Sequence, residues 1–410
     1  MPLQVLKLGG TREKTNKILF FPLICTNFAA EMKKNVIAIL TVTALLLSGC
    51  YQGAPPRTNS EGEGKQFTAQ KDSTQGRGLQ GTPPKGLEGT LVRTTPVKDQ
   101  GTSDLCWIYA MLATIESERL MLGDSVNLST DFLARHYLEE QAERCYLLTN
   151  AAKKNGSEKI TTRGMASMTL TLLHRYGMTH WNAYHLDANF DVVARKVEKT
   201  VTANRGKGLE KMNKALGDML DETTRPLPRY VFMLGVEYTT LEFAYSVCMP
   251  DEYVALTSFT HHPYGKPFCL EVADNFYQDE FLNIPLDSMM NSIDRALMNG
   301  HPVCWEGDIS EPGFSWKKGI AKIQKTEAYD AANRQKAFEQ GETTDDHCME
   351  LIGIKRTPKG GKYYLAKNSW GQDNALGGYM YLSENYLRMK TIAVWMTHEA
   401  YEQKNTSKQP

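Results

Sequence analysis

Residues 96–107 read PVKDQGTSDLCW. The cysteine opens a stretch with helical spacing, in which Ile108, Met111, Leu112, Ile115 and Met121 recur before Gly123 and Asp124 end it. An amphipathic helix starting here places Cys106 at its positive end, where the aligned peptide dipoles favour a thiolate. The thiolate is the form of cysteine that attacks carbonyls. Gln100 lies six residues earlier, on the loop feeding the helix. Its side-chain amide and the backbone N–H of Cys106 make two donors for an oxygen that turns negative in a tetrahedral intermediate. Losing one such donor costs on the order of a hundredfold or more in rate. Asp104, Leu105 and Trp107 border the cysteine and are candidates to touch a substrate.

Two further stretches complete a chemistry. Residues 345–351 read DDHCMEL, and His347 opens a predicted strand. A strand is a rigid mount for a base. Residues 367–371 read KNSWG. The Asn368 carbonyl suits the far N–H of an imidazole and would fix its tautomer, the third member's role in a nucleophile–base–orienter triad. Trp370 is placed to shield that bond from water. Asp346 precedes the base and either tunes the imidazole, lines the substrate site or is a solvated loop carboxylate. Strand alternation turns Cys348 away from His347, as a core thiol.

Around these pieces, helices come first and strands later. Ser129 is a plausible cap for a helix running to about Tyr146. Residues 164–176 read as another helix, 190–220 as one or two surface helices, and 286–298 as one more, with Gly300 just beyond. Segments 303–306, 349–354, 363–367 and 378–382 read as antiparallel strands. This order argues for α+β with segregated halves. Trp305 reads as core. His174, His180, His185 and the pair His261-His262 lack ligand spacing for a metal, so none is assigned. Lys+Arg and Asp+Glu both number 47, a balance that gives no sign of a nucleic-acid partner.

The amino-terminal region reads as an address. Residues 32–50, MKKNVIAILTVTALLLSGC, have a basic start and an apolar run too short to span a bilayer. The closing Leu47-Ser48-Gly49-Cys50 resembles the lipobox of bacterial lipoproteins, which implies lipidation of Cys50, export, and a membrane anchor at the cell envelope. Residues 1–31 then precede the true start at Met32. Residues 51–88 are too polar to fold and read as a flexible tether. The folded body is expected over 89–398, with a polar tail at 399–410. Beyond Cys50 and Cys106, and leaving aside Cys25, five cysteines remain: Cys145, Cys248, Cys269, Cys304 and Cys348. An odd set does not support a complete disulfide framework.

Taken in order, Q-G-x4-C-W, D-H and N-S-W-G are similar to the papain family of cysteine peptidases. The resemblance implies a papain-like two-lobe fold, with a helical lobe carrying Cys106 and an antiparallel β-barrel carrying His347 and Asn368. A peptide would lie in the cleft between them, with no cofactor. Ser103 stands where many relatives have a half-cystine. His347 follows Cys106 by 241 residues, against about 130–150 in papain-like enzymes, so roughly a hundred residues are inserted. Both departures resemble the bleomycin hydrolase and aminopeptidase C branch, as do residues 132–146, 163–179, 263–266, 284–287 and 299–303. That branch is restricted to free amino termini by a carboxy-terminal arm. The short polar tail here leaves aminopeptidase and endopeptidase action both open. The rival expectation is a peptide-binding lipoprotein that keeps the cleft without turnover.

Overall fold

The computed structural model describes residues 89–152, 159–233, 235–323 and 328–403. The 1–31 extension, the signal segment with Cys50, the 51–88 tether and the last seven residues of the tail, 404–410, lie outside the described residues.

The helical part begins with α1 (Cys106–Met121), α2 (Thr130–Ala152), α3 (Ala166–Tyr176), α4 (Phe190–Ala203) and α5 (Leu209–Thr224). A hairpin of β1 (Tyr230–Met233) and β2 (Val236–Thr239) leads into α6 (Thr240–Val247). Then come β3 (Tyr253–Thr257), β4 (Lys266–Cys269), β5 (Glu280–Asn283), α7 (Leu286–Met298) and β6 (Val303–Gly307). Short strands β7 (Phe314–Ser315) and β8 (Ile320–Ala321) precede α8 (Ala331–Glu339). The chain finishes with β9 (His347–Arg356), β10 (Lys362–Lys367), β11 (Tyr379–Ser383), α9 (Glu384–Lys390), β12 (Thr391–Thr397) and α10 (His398–Glu402).

Helix α1 was expected to be amphipathic, but every residue from Cys106 to Glu118 is buried. The reason is tertiary: α2 and α3 cover one side of it, and β6 and β9 the other. Its polar residues are therefore partnered. Glu116 takes the Lys98 ammonium at 2.7 Å, the Thr95 hydroxyl at 2.5 Å and the Leu128 N–H at 2.6 Å. Glu118 holds His301 at 2.7 Å. At α2, Ser129 is the cap, its hydroxyl oxygen accepting from Phe132 N–H at 3.1 Å. Helix α3 ends at Gly177, whose φ is 89°. A β-carbon there would lie 2.3 Å from the Thr240 backbone, so only glycine permits the close approach. The 190–220 segment forms two helices, α4 and α5. Their apolar faces, including Val193, Val197, Leu216 and Leu220, are buried.

The described strands beyond the hairpin form one sheet in the order β4-β5-β3-β12-β6-β9-β10-β11-β8-β7. It is mixed rather than wholly antiparallel. Strand β3 runs parallel to β5, and β11 parallel to β8. Strands β3, β4 and β5 all come from the stretch between nucleophile and base, and they extend the sheet beyond β12. The fold is α+β, as the sequence predicted. Two cores result. One gathers the helices, and the other lies between α7 and the far face of the sheet around Trp305, Met349 and Leu351.

The tail expected as a polar segment over 399–410 is packed where it is described. Its described part forms α10, with Ala400 fully buried, and it docks on α7 through Arg295 to the Tyr401 carbonyl at 2.6 Å and Asn299 to Gln403 at 2.8 Å. Cys348 is a core thiol, but it does not face the core around Met349. It faces α1, because this sheet is buried on both sides and alternation alone does not say which interior a side chain enters.

Glu116 ties the 95–98 loop to α1, and that loop leads to Gln100. Replacing Glu116 by alanine leaves Lys98 largely buried without its partner and is expected to cost about 3–5 kcal/mol. The drop in the denaturant midpoint measures it.

Candidate active site

The sheet register assembles the site. Strand β6 pairs antiparallel with β9 so that Gly307 faces His347 and Glu306 faces Cys348. Cross-strand partners share a face, so Cys304, Glu306, Cys348 and Glu350 form one polar row beneath α1, backed by Val303, Trp305, Met349 and Leu351 on the other face. Gly307 is required here. A β-carbon would lie 2.2 Å from the Lys390 carbonyl oxygen and 2.5 Å from the Trp305 ring. Strand β10 runs antiparallel to β9 and ends at Lys367, which delivers Asn368 to the end of the sheet where β9 begins.

There the three predicted residues meet. His347 and Asn368 are buried, with Nε2 of the imidazole 2.7 Å from Asn368 Oδ1. The same oxygen accepts the Ser369 backbone N–H at 2.7 Å. That second bond identifies the Asn368 atom as oxygen, so Nε2 is the protonated nitrogen and Nδ1 is left for Cys106. The Trp370 ring lies over the imidazole at 4.5 Å between centroids and is itself braced edge-on by Trp316 at 5.4 Å. Trp370 thus packs on the His347 ring beside Asn368, and Trp316, to which the sequence gave no role, packs on Trp370.

Charge is tuned across the pair. A hydrogen bond with Cys348 holds the Cys106 thiol well below the usual thiol range, against the opposing effect of burial and with help from the His347 charge and hydrogen bond. For His347, burial works to lower the pKa. The charge and hydrogen bond of Cys106, then the bond to Asn368, outweigh it and leave it raised. Both directions favour a thiolate–imidazolium pair. Cys348 itself is driven well above the thiol range, first by burial.

Gln100 is held between two serines, its Oε1 accepting from the Ser369 hydroxyl at 2.6 Å and its Nε2 donating to the Ser103 carbonyl at 2.5 Å. One of the two amide hydrogens remains for a ligand. Leu105 and Trp107, expected to border a substrate, are instead buried below the site. The Trp107 indole N–H donates to the Thr162 carbonyl at 2.9 Å, and its ring packs beneath Gly164. Asp104 and Asp346 do line the cavity next to Cys106. Asp346 accepts from the Thr344 hydroxyl at 2.8 Å.

The same cavity is lined by residues that the sequence reading did not single out: Arg163, Gly164, Asp274, Glu306, Asp345 and Cys348. A charged residue interrupting the apolar strand 303–307 was the available signal for Glu306. Burial first, then the charge of Asp345, keeps the Glu306 carboxyl well above the usual range, and burial likewise raises Asp345. Far from this cavity in sequence, His261 and His262 both reach Glu271, at 3.1 and 2.6 Å. Their ligand atoms lie within 4.8 Å of one another, a convergence that local spacing did not reveal.

Residues 228–408 match the Peptidase C1-like family. Aminopeptidase C of Lactobacillus helveticus is 21% identical over 351 residues, covering 70% of this chain and 76% of that protein. Aminopeptidase G of Lactobacillus delbrueckii subsp. lactis is 24% identical over 160 residues, and the matched region spans only 36% of its length. Among solved structures, pepw from Lactobacillus rhamnosis superimposes with a TM-score of 0.56 at 16% identity, over 76% of this chain and 82% of that one. The α+β fold, the family match and the order of the Gln-Gly-x4-Cys-Trp, Asp-His and Asn-Ser-Trp-Gly pieces make this chain similar to the papain-like cysteine peptidases, and in particular to the branch of bleomycin hydrolase and aminopeptidase C.

Proposed function

We propose that this chain hydrolyses peptide bonds through Cys106, His347 and Asn368, and that a lipid on Cys50 anchors it to a membrane at the cell envelope. The observation that carries the first part is the bonded line from Asn368 Oδ1 through the His347 ring to the Cys106 sulfur. The second part rests on the basic start, apolar run and lipobox of residues 32–50. Among the described residues no helix is long and apolar enough to cross a membrane.

In this reading the Cys106 thiolate attacks the substrate carbonyl, and the displaced electron pair moves onto its oxygen. The free Gln100 amide hydrogen and the Cys106 backbone N–H stabilise that oxyanion. The His347 imidazolium gives its proton to the departing amine, the C–N bond breaks, and a thioester remains on Cys106. Water then loses a proton to His347 and adds to the thioester carbonyl. The C–S bond breaks, the acid leaves, and the thiolate–imidazolium pair is restored. Asn368 keeps the Nε2 hydrogen pointed at itself throughout, so Nδ1 does the proton transfers. The aminopeptidase names of the relatives support action near a free amino terminus.

Labelling by a peptidyl epoxysuccinate at Cys106, lost in Cys106→Ala together with all cleavage, is the expected result. Retained cleavage in that variant would sink the proposal. A stoichiometric label without turnover would instead indicate a peptide-binding protein. Gln100→Ala should lower kcat by about 10²–10³-fold while Cys106 still labels.

The pH profile follows from the two shifts. Cys106 is depressed and His347 raised, so the ion pair spans the interval between them. Activity falls on the acid side as the Cys106 thiolate takes a proton, and on the alkaline side as His347 loses one. Alkylation of Cys106 by iodoacetamide should persist well below the pH at which an ordinary thiol stops reacting, and Asn368→Ala should pull the alkaline limb to lower pH.

For the anchor, Cys50→Ala is expected to move the protein from the detergent phase to the aqueous phase in a phase-partition assay. An unchanged partition would refute lipidation.

A further inference from the structure

His261 and His262 stand side by side on the connection between β3 and β4, and Glu271 follows β4. None of the three lines the Cys106 cavity. His261 Nε2 lies 3.1 Å from Glu271 Oε2, and His262 Nε2 lies 2.6 Å from Glu271 Oε1. One ligand atom from each residue falls within 4.8 Å of the other two. Neighbours in a strand point to opposite faces, but the turn at residues 260–261 brings both rings to one carboxylate. Among the described residues no lysine or arginine pairs with Glu271, and the two imidazoles are its ion-pair partners.

The two rings are held in place. His262 stacks on Phe268 at 4.1 Å between centroids, and His261 meets the same ring edge-on at 5.7 Å. Asn283, buried on β5, clamps the backbone that carries them. Its Oδ1 accepts the Phe259 N–H at 2.9 Å, and its Nδ2 donates to the Phe259 carbonyl at 2.9 Å and the His262 carbonyl at 2.8 Å. Gln335 of α8 sits behind His261. Its Oε1 accepts the Thr260 N–H at 2.7 Å and its Nε2 donates to Glu339 at 2.9 Å, which fixes the amide. Both amide atoms reach His261 Nδ1, Oε1 at 3.2 Å and Nε2 at 2.9 Å, so the amide serves either tautomer. An Nδ1–H donating to Oε1 leaves the Nε2 lone pair facing Glu271. That is the tautomer a metal ion needs, and the outer hydrogen bond that metal-bound histidines make. Rings fixed in this way lose little entropy on taking up an ion.

We propose that His261, His262 and Glu271 bind a divalent metal ion of the zinc class. Two neutral imidazole nitrogens and one carboxylate oxygen are the donor set of an open Zn²⁺ site, in which water takes the fourth position. The side chains are 27%, 34% and 53% exposed, so the ion and its water can reach them. Tetrahedral bonds of about 2.0–2.2 Å set ligand atoms about 3.3–3.5 Å apart. The three separations thus lie within about 1.5 Å of what an ion requires, a shift that the exposed end of Glu271 can supply. Ca²⁺ and Mg²⁺ prefer shells built of oxygen, which one carboxylate beside two imidazoles does not provide. An ion here would fasten the β3–β4 connection to the segment after β4, both within the stretch between Cys106 and His347. This site goes beyond the peptidase reading and does not depend on it.

The test supplies Zn²⁺ to the full-length protein after Cys106 has been alkylated with iodoacetamide, so that the Cys106–His347 pair does not hold the ion. Equilibrium dialysis at micromolar free Zn²⁺, with Mg²⁺ and Ca²⁺ in excess, should retain one Zn²⁺ per chain. His262→Ala and Glu271→Gln should each lower the affinity by about tenfold or more. Zn²⁺ at about a hundredfold excess over Kd should raise the Tm of the unaltered protein by about 3–5 °C. The same concentration should leave the Tm of either variant unmoved. Melting in EDTA shows that each variant is folded, and His261→Ala replaces one that is not. No retained Zn²⁺ in the unaltered protein would overturn the site. Unchanged affinity in the variants would also overturn it, by putting the ion elsewhere on the chain. Displacement of Zn²⁺ by Mg²⁺ or Ca²⁺ would overturn the zinc class. Peptide cleavage is measured separately on protein that has not been alkylated, so a failure of either conclusion is distinguishable from a failure of the other.

Discussion

Helix α1 lies against the β6/β9 pair, and the site depends on that contact. A helix start supplies a dipole favouring thiolate, and a strand start supplies a fixed imidazole. Neither does chemistry until the two ends are pressed together. Burial of α1 from Cys106 to Glu118 makes the contact rigid. It also forces every polar group on the helix to find a partner. The bonds of Glu116 and Glu118 follow from that demand, and they fasten the 95–98 loop and His301 to the same helix.

The interface is unusually polar for a sheet interior. Glu350 meets the Lys367 ammonium at 2.9 Å. Near the other end of β6, Lys390 is fully buried between Asp308 at 2.7 Å and Glu311 at 2.5 Å. Such pairs add little net stability over apolar packing, but removing one partner is costly, so they enforce a single arrangement. Glu306 lies on the same polar row without a cationic partner and shares a hydrogen bond with Asp345, from the loop before β9.

The proposed catalytic side chains come from short motifs because each must be locally preorganised. Gln100 is held by Ser369 and Ser103, Asn368 by the Ser369 N–H, and the His347 ring by Trp370. Each of these braces is a neighbour of another motif residue. This explains why the motifs were readable as blocks, and why Leu105 and Trp107, read as substrate contacts from adjacency, turned out to support the site from below.

The sequence alone determined the helix starting at Cys106, the strands carrying His347 and delivering Asn368, and the α+β order, because periodicity, caps and motif residues act over a few positions. Tertiary structure decided the rest. The parallel pairs β3/β5 and β8/β11, the choice of interior for Cys348, the docking of α10, the meeting of His261 and His262 with Glu271, and the convergence of Glu306 with Asp345 all depend on which strand lies beside which. Alternation tells that a side chain points to one face or the other. Where both faces are buried, only the packing of α1 and α7 on the sheet says what that face touches.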